Sequence, residues 1–409
     1  MSHAAPPDDA ASPTRAVADF ARAIAGLNAS EHGFSHLCLE RARARAQALE
    51  RASCLCSRPL QGMLIPVKDL YDVAGLPTTF GSRARTHLAR RTEPFVRGLL
   101  ERGAVIPGKT ATSELGMTAY LEPAGLPRVD NPRWPGRTPG GSSGGAAVAV
   151  ARGLVPAAHA SDGGGSIRIP AAACAVVGYK PPHDATGGAL STQGFITRSV
   201  EVTARLHDLA LPAQAPPLTV GLLTEPLFAE TKVASRWLHA AEHAADLLAA
   251  AGHRVLPVSA PPQAGKVFKA FRTILSARAA ATPPASGSGA MVCHLRDRGA
   301  RLGPRRLAQA LRVQATMPAL ADVDVVLSPT LAHDPPPIGA FSALEPEEDF
   351  WAQTRWTPWA SWFNMSGQAA VSVPCGGAGA SVHLGAVRVS PAILLALARE
   401  ISDDVAPTL

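Results

Sequence analysis

Two glycine-rich segments that carry serine constrain this chain more than any other feature of its sequence. Residues 138–145 read Thr-Pro-Gly-Gly-Ser-Ser-Gly-Gly, and residues 161–168 read Ser-Asp-Gly-Gly-Gly-Ser-Ile-Arg, with an apolar, helix-like stretch between them. Because glycine has no Cβ, such loops adopt positive φ and leave their backbone N–H groups open to a ligand. Consecutive N–H groups that point into one concavity bind anions, which predicts an oxyanion-binding site here.

Three common glycine-rich or serine sites do not fit these segments. A Walker phosphate loop places Gly-Lys-Ser/Thr after its first glycine, and neither segment contains that lysine. No GxGxxG opens a helix. The GxSxG elbow of the α/β-hydrolases also fails, because Ser166 is followed by Ile167 and Arg168. The segments therefore favour a serine site of another kind.

The chain resembles the amidase signature family. The match lies in residues 66–79, 140–145 and 162–168, and Ser142 and Ser166 are twenty-four residues apart, as in that family. Looser matches continue outside these segments. They lie at residues 108–116, 178–181, 327–330 and 363–367. Residues 122–132 and 158–165 are most similar to the branch that contains hydrolases of cyclic nylon oligomers.

The resemblance implies a Ser-Ser-Lys mechanism. Ser166 is implied as the nucleophile, Ser142 as a bridging serine after a cis peptide bond, and Lys68 as the terminal base. A lysine accepts a proton only when it is neutral, and burial away from anions favours that form. The backbone N–H groups of the second segment are implied as the oxyanion hole: Gly163, Gly164, Gly165 and Ser166.

Nearby polar residues are expected to support this site. We predict that Ser143 holds the loop by hydrogen bonding, and that Asp162 and Arg168 frame it as a pair. On residue chemistry alone Lys109 and Lys180 compete with Lys68 as the base, and only the motif match favours Lys68. His159 lies near Ser166 in the sequence and is expected to be a packed residue. An aromatic cluster near the C-terminus has the helical spacing that is usual for a core. Otherwise it lines the substrate pocket, for which the predicted residues are Trp359, Trp362, Phe363 and Asn364.

The order of apolar patterns predicts an α/β fold. Helices are predicted at residues 15–27, 34–51, 93–102 and 235–251, and strands at residues 62–69, 103–110, 253–258, 324–329 and 370–374. The resemblance implies a mixed central sheet covered on both faces by α-helices. We expect a flexible tail at residues 1–13 and one amidase domain at residues 14–409. Within it, residues 60–210 form the catalytic signature core and residues 211–409 shape the substrate site and complete the sheet.

Four segments are shorter than the family pattern or depart from it. They follow Lys180, Leu206, Pro262 and Cys375. After Cys375 a glycine-rich stretch, residues 376–380, takes the place in which a strand is expected to continue the sheet. Because these segments lie away from the serines and Lys68, they predict a specialised substrate or acyl acceptor rather than loss of chemistry.

Composition limits the partners and the compartment. With 409 residues, 46% of them hydrophobic, the chain is long enough to bury a sizeable core. Its net charge of +7 does not indicate nucleic-acid binding. The N-terminus lacks a signal peptide and no apolar run approaches the roughly 18 residues of a membrane span, so a cytoplasmic location and no membrane contact are expected. The six scattered cysteines, with Cys54 and Cys56 as the only close pair, predict reduced thiols and no metal site.

These observations predict an enzyme without a cofactor that hydrolyses a small-molecule, non-peptide amide, linear or cyclic, through an acyl-enzyme on Ser166. Two other classes of function stay open. One is an acyltransferase or amide-forming enzyme, in which an amine replaces water and an acidic carrier docks near Arg296, Arg305 and Arg306. The other is a non-catalytic scaffold. A homodimer is implied by the resemblance alone.

Overall fold

The computed structural model describes residues 12–52, 58–377 and 379–403. The helices are α1 Pro13–Ala25, α2 Ala29–His32, α3 Leu39–Ala52, α4 Pro94–Glu101, α5 Gly144–Ala151, α6 Arg168–Ala173, α7 Val200–Leu206, α8 Ser235–Ala250, α9 Ala264–Ala280, α10 Ala290–Ala300, α11 Pro304–Ala315, α12 Pro346–Trp356, α13 Trp362–Ser366 and α14 Pro391–Ile401. The strands are β1 Phe34–Leu37, β2 Val67–Lys68, β3 Pro77–Thr78, β4 His87–Leu88, β5 Gly108–Thr110, β6 Ala157–Asp162, β7 Val177–Lys180, β8 Thr192–Thr197, β9 Thr219–Leu222, β10 Arg254–Pro257, β11 Val325–Pro329, β12 Ala370–Pro374 and β13 Ser381–Ala386.

A mixed sheet of eight strands forms the centre, in the order β10-β9-β11-β13-β12-β7-β8-β6. Strands β10, β9 and β11 run parallel, and each later pair in this order is antiparallel. Helices α7, α8 and α14 pack together on the sheet, and α5 and α6 form another packed group. The predicted fold class, a mixed sheet with helices on both faces, is confirmed.

The sequence between the two glycine-rich segments forms more than the predicted helix. It forms the short helix α5 and then the edge strand β6, and every residue of both is buried. Helix α5 is apolar all round, as expected of a helix that is enclosed by protein. Strand β6 delivers Asp162 and the second glycine segment to the end of the sheet.

A small second sheet, in the order β1-β5-β2, positions the lysine strand. The predicted helix at residues 34–51 is wrong in its first turn, because Phe34–Leu37 pairs with β5 and the helix begins at Leu39. The predicted strands at residues 62–69 and 103–110 contract to β2 and β5. Backbone pairing across this sheet outweighs the helical pattern of the side chains there.

The chain ends of the domain also differ from prediction. Helix α1 begins at Pro13, the last residue of the predicted tail, with Ser12 as its N-cap, and residues 1–11 lie outside the described part. After Cys375 the sheet continues, because β13 forms an antiparallel hairpin with β12. The expectation that a strand is replaced there is therefore wrong. The single-domain boundary at residue 14 stays a prediction.

Candidate active site

The side chain of Lys68 lies at the end of β2 and is completely buried. Its Nζ donates to the Oγ of Ser142 at 2.7 Å, to the Oγ of Ser161 at 3.1 Å and to the carbonyl oxygen of Ser161 at 3.3 Å. Burial lowers the pKa of Lys68 to about 7, although the negative charge of Asp162 opposes the shift. Lys68 is therefore neutral over an ordinary part of the pH range.

Ser142 follows a cis peptide bond from Gly141, as the resemblance implies. Both Ser142 and Ser166 line one cavity of about 220 Å³. Among the described residues no hydrogen bond joins their two hydroxyls, but the backbone N–H of Ser143 donates to the carbonyl oxygen of Ser166 at 3.3 Å. The Oγ of Ser143 donates to the carbonyl oxygen of Ser161 at 3.3 Å. These contacts tie the two serine segments together, in the manner predicted for Ser143.

The glycine turn before Ser166 exposes three backbone N–H groups rather than four. The N–H of Gly165 donates to Asp162 Oδ1 at 2.7 Å, so it does not face a ligand. In the described part of the chain, no acceptor is recorded for the N–H groups of Gly163, Gly164 and Ser166. Gly165 has a φ of +121°, and a Cβ there would lie 2.6 Å from Ile169 Cδ1, so only glycine fits.

A buried ion pair holds this turn. Both side chains of the predicted pair are fully buried, and Arg168 donates to both carboxylate oxygens of Asp162, at 2.9 and 3.0 Å. Burial alone would raise the pKa of Asp162, but the charge and hydrogen bonds of Arg168 and a bond from Asn364 keep it below its ordinary value. The bidentate geometry is the stronger form of such a pair. Asp162 therefore stays ionised and fixes the turn.

Asn364 is a part of this frame and not of the pocket. Its Nδ2 donates to Asp162 Oδ1 at 2.8 Å and its Oδ1 accepts from Arg168 at 2.8 Å. The Nε2 of His383 lies 2.9 Å from Arg168 Nη1, and burial beside that guanidinium lowers the pKa of the imidazole. Sequence analysis missed His383, because no motif links β13 to the glycine turn.

The two competing lysines and His159 have other hydrogen-bond partners. The Nζ of Lys109 pairs with Asp69 at 2.9 Å. Lys180 donates to the carbonyl oxygens of Gln368 at 2.7 Å and Pro181 at 3.1 Å. His159 is a packed residue, whose Nδ1 accepts from the backbone N–H of Lys68 at 3.3 Å, and burial lowers its pKa to about 3. Of the three lysines, Lys68 is the one that contacts Ser142.

The aromatic residues predicted for the pocket lie elsewhere. Trp359 is buried and donates to the carbonyl oxygen of Glu225 at 2.9 Å, and Phe363 packs on His383 with ring centroids 5.1 Å apart. Trp362 and Phe363 border a different cavity, next to His183. Large aromatic rings bury most surface in a core, and these do so. Of the two interpretations of this cluster, the structure agrees with core packing, and the predicted pocket residues are wrong.

Helices α9 and α12 supply the wall that the prediction missed. They extend over the serines and glycines from the other half of the chain. Their side chains in the cavity are Phe268, Phe271, Leu275, Arg278, Phe350, Gln353 and Thr354. The 3.6-residue spacing of Phe268, Phe271 and Leu275 is visible in the sequence, and it signals a helix face without showing what that face meets.

The described residues contain no group of three or more His, Cys, Asp or Glu side chains placed to hold a metal ion. Cys54 and Cys56 lie outside the described part of the chain. No helix within the described residues is long and apolar enough to span a membrane.

Comparison with known proteins agrees with this geometry. The family model named Amidase matches residues 15–286. The amidase-family protein AmiB2 of Mycobacterium bovis is 34% identical over 399 residues, which cover 88% of this chain and 86% of that protein. An amidase-family protein of Synechocystis is 42% identical over a shorter stretch of 160 residues, which covers 37% of this chain and 32% of that protein.

A solved structure extends the likeness to the whole fold. The structure of 6-aminohexanoate cyclic dimer hydrolase complexed with substrate has a TM-score of 0.82 and 25% sequence identity. The superposition covers 95% of this chain and 93% of the hydrolase. This likeness confirms the predicted resemblance to hydrolases of cyclic nylon oligomers. The matched family model, the relatives and the shared fold show that this chain belongs to the amidase signature family of amide-hydrolysing enzymes.

Proposed function

We propose that the chain hydrolyses a small-molecule amide through an acyl-enzyme on Ser166, with Ser142 and Lys68 as its proton relay. The observation that carries the proposal is the 2.7 Å hydrogen bond between the buried Nζ of Lys68 and the Oγ of Ser142. A lysine with a pKa of about 7 has a free electron pair near neutral pH and can receive a proton through that hydroxyl.

The first half of the reaction forms the ester. Ser166 Oγ attacks the amide carbonyl carbon while its proton passes to Ser142 and the proton of Ser142 passes to Lys68. For this proton transfer, the Ser166 side chain must move within hydrogen-bond distance of the Ser142 hydroxyl, or the substrate must bridge the two hydroxyls. The oxyanion is stabilised by the N–H groups of Gly163, Gly164 and Ser166. Each such donor is typically worth about 10² to 10³ in rate.

The second half releases the acid. When the tetrahedral intermediate collapses, the proton held by Lys68 returns through Ser142 to the nitrogen of the leaving amine, and the C–N bond breaks. Water then attacks the ester, and its proton follows the same relay to Lys68. Collapse of the second intermediate returns a proton to Ser166 Oγ and frees the carboxylic acid. The relay ends each cycle in its starting state.

The cavity supports a small, largely apolar substrate. Phe268, Phe271 and Phe350 line the cavity together with Ser142 and Ser166. Pockets of this type bind small molecules through apolar contact and a few placed polar groups. The division into a signature core at residues 60–210 and a substrate-shaping half at residues 211–409 is consistent with this arrangement.

The proposal is tested by intact-mass measurement after treatment with a fluorophosphonate serine probe. The wild type should gain one probe mass, and Ser166→Ala should gain none. Ser191→Ala is the matched control, because Ser191 lines the same cavity and should leave labelling intact. Absence of labelling in a folded wild type, or labelling that persists in Ser166→Ala, contradicts the proposal.

Acyl transfer is separated from hydrolysis by adding hydroxylamine to the same enzyme with an amide substrate. Hydrolysis predicts that the free acid is the main product without a competing amine. An enzyme built for transfer should form little acid, and once hydroxylamine is present it should form the hydroxamate as its main product. The predicted carrier surface near Arg296, Arg305 and Arg306 and the predicted homodimer stay predictions.

A further inference from the structure

Helix α9 presents one face to the active-site cavity, and that face ends in a charge. The residues on it are Phe268, Phe271, Leu275 and Arg278, at steps of three, four and three. Residues with this spacing lie on one side of an α-helix. The face therefore changes from aromatic to aliphatic to cationic along the length of the cavity.

Phe271 marks the position of the reacting carbonyl on this helix. A Cβ added to Gly164 would lie 3.0 Å from Phe271 Cζ. The ring therefore lies against residues 163–166, the turn that carries the proposed oxyanion donors and is called the oxyanion turn below. Arg278 follows seven residues later, which is about 10 Å along the helix axis. In the other direction Phe268 stacks on Phe271 with centroids 5.8 Å apart and lies 6.1 Å from the ring of Phe350. The oxyanion turn thus lies between an aromatic end and a cationic end.

Arg278 has the properties of a group that receives an anion. It is the single charged side chain that lines the cavity in the described part of the chain. No ion pair to it is recorded among the described residues, and its Nη1 donates only to the carbonyl oxygen of Gly188, at 3.3 Å. The charge of Arg278 also reaches the cavity residue Tyr71, where it partly offsets the rise in pKa caused by burial. A guanidinium with free N–H groups binds carboxylates in bidentate geometry.

We infer that the substrate is an amide with a carboxylate on one side of the scissile bond and an apolar, preferably aromatic, group on the other. Arg278 binds the carboxylate about 10 Å from the scissile carbonyl, and Phe268 and Phe350 bind the apolar group. This inference rests on the proposed function, because it takes the oxyanion turn as the reaction centre. It makes Arg278 a specificity-determining residue, without a part in the proton relay.

Two series of substrates test the inference. In the first, benzoyl amides of unbranched ω-amino acids of increasing length are compared with their methyl esters. In the second, anilides of dicarboxylic acids are compared with their methyl esters, which places the carboxylate on the acyl side. In one series at least, kcat/KM for the free acid should exceed that for its ester by about tenfold or more at low salt. The preference should peak at an intermediate chain length.

Variants of Arg278 test whether this residue causes the preference for the acid over the ester. Arg278→Gln should reduce the ratio of acid to ester to about one, mainly through KM, and Arg278→Lys should keep part of it. Arg43→Gln removes an exposed arginine of α3 and serves as the matched control, with the ratio unchanged. Because Arg278 is exposed, raising the ionic strength should weaken the preference in the wild type as well.

The outcomes separate this inference from the proposed function. Ser166→Ala binds without turnover, so calorimetry on that variant measures the acid preference whether or not the nucleophile is correct. Equal affinity and equal kcat/KM for acids and esters, with normal probe labelling of Ser166, would overturn the inference and leave the proposed function standing. A preference for the acid that survives in Arg278→Gln would also overturn it.

Discussion

The two walls of the active-site cavity consist of different kinds of side chains. The wall that carries Ser142 and Ser166 rests on buried polar side chains, because Lys68, Asp162 and Arg168 are all fully enclosed and hydrogen-bonded. The other wall, from α9 and α12, carries three aromatic side chains in contact with each other, Phe268, Phe271 and Phe350. Buried polar networks require each partner, whereas apolar surfaces tolerate exchange of one residue for another. Substitutions in the first wall should therefore cause large losses of activity, and substitutions in the second should change substrate specificity by smaller amounts.

The largest expected effect comes from the relay lysine. Lys68→Met should lower kcat by about 10³ to 10⁴, because the general base is removed and the hydrophobic volume is kept. Lys180→Met is the matched control, since burial also lowers the pKa of Lys180 to about 7 but its Nζ contacts backbone carbonyls. Steady-state kinetics on both folded variants measure the difference. Equal losses in the two would show that any buried lysine matters and would break the comparison.

The next effect falls on stability. Asp162→Asn leaves the buried guanidinium of Arg168 without its counter-charge and should lower the free energy of unfolding by about 3–5 kcal/mol. Asp208→Asn removes a carboxylate from an exposed pair with Arg102, and should cost less than about 1 kcal/mol. Urea unfolding measures both values. A similar small loss in the two variants would mean that the turn does not depend on its frame.

The aromatic wall should respond in specificity. Phe271→Ala should lower kcat/KM for apolar amides by about tenfold or more, chiefly through KM, because the ring removes apolar substrate surface from water. Labelling of Ser166 by a small probe should persist. Trp359→Phe is the control, because it alters a buried ring outside the cavity. It should change stability but not KM, which also tests whether Trp359 lies outside the substrate pocket.

The smallest effect on catalysis is expected from Asp349, a carboxyl behind the aromatic wall. Burial, together with the charge of Glu122, raises the pKa of Asp349 to about 6, against hydrogen bonds from Tyr120 and Gln353. Because this pKa is raised on folding, the stabilising contribution is present below about pH 4 and is lost as the pH rises through about 6. Relative to Asp349→Asn, the wild type should lose up to about 3 kcal/mol of stability across that interval. Thermal melts at several pH values test it, and parallel curves would contradict it.

The difference between the two cavity walls also determines which parts of the site could be predicted from the sequence. Ser142, Ser166 and Lys68 lie in short motifs whose spacing is visible along the chain, and so does the pair of Asp162 and Arg168. Gly165 was predicted as an oxyanion donor, but only the fold shows that its N–H is taken by Asp162. The backbone hydrogen bonds of a loop depend on its three-dimensional path, which no motif states.

The substrate wall was beyond prediction for a related reason. Phe271 lies against Gly164, and Phe268 lines the same cavity, although α9 is far from the glycine turn in the sequence. The cluster around Trp359 and Trp362 carries a stronger compositional signal, yet those rings fill the core. Aromatic content predicts burial, and it does not say whether protein or substrate covers the ring.

The most direct test of the account is the pH dependence of the rate at which the fluorophosphonate probe labels Ser166 in the wild type. Below its pKa of about 7, Lys68 carries a proton and cannot accept another, so labelling should be slow. The rate should rise tenfold per pH unit below pH 7 and level off above it. A rate that is flat from pH 5 to pH 8, in a protein that stays folded, would contradict a neutral Lys68 as the base.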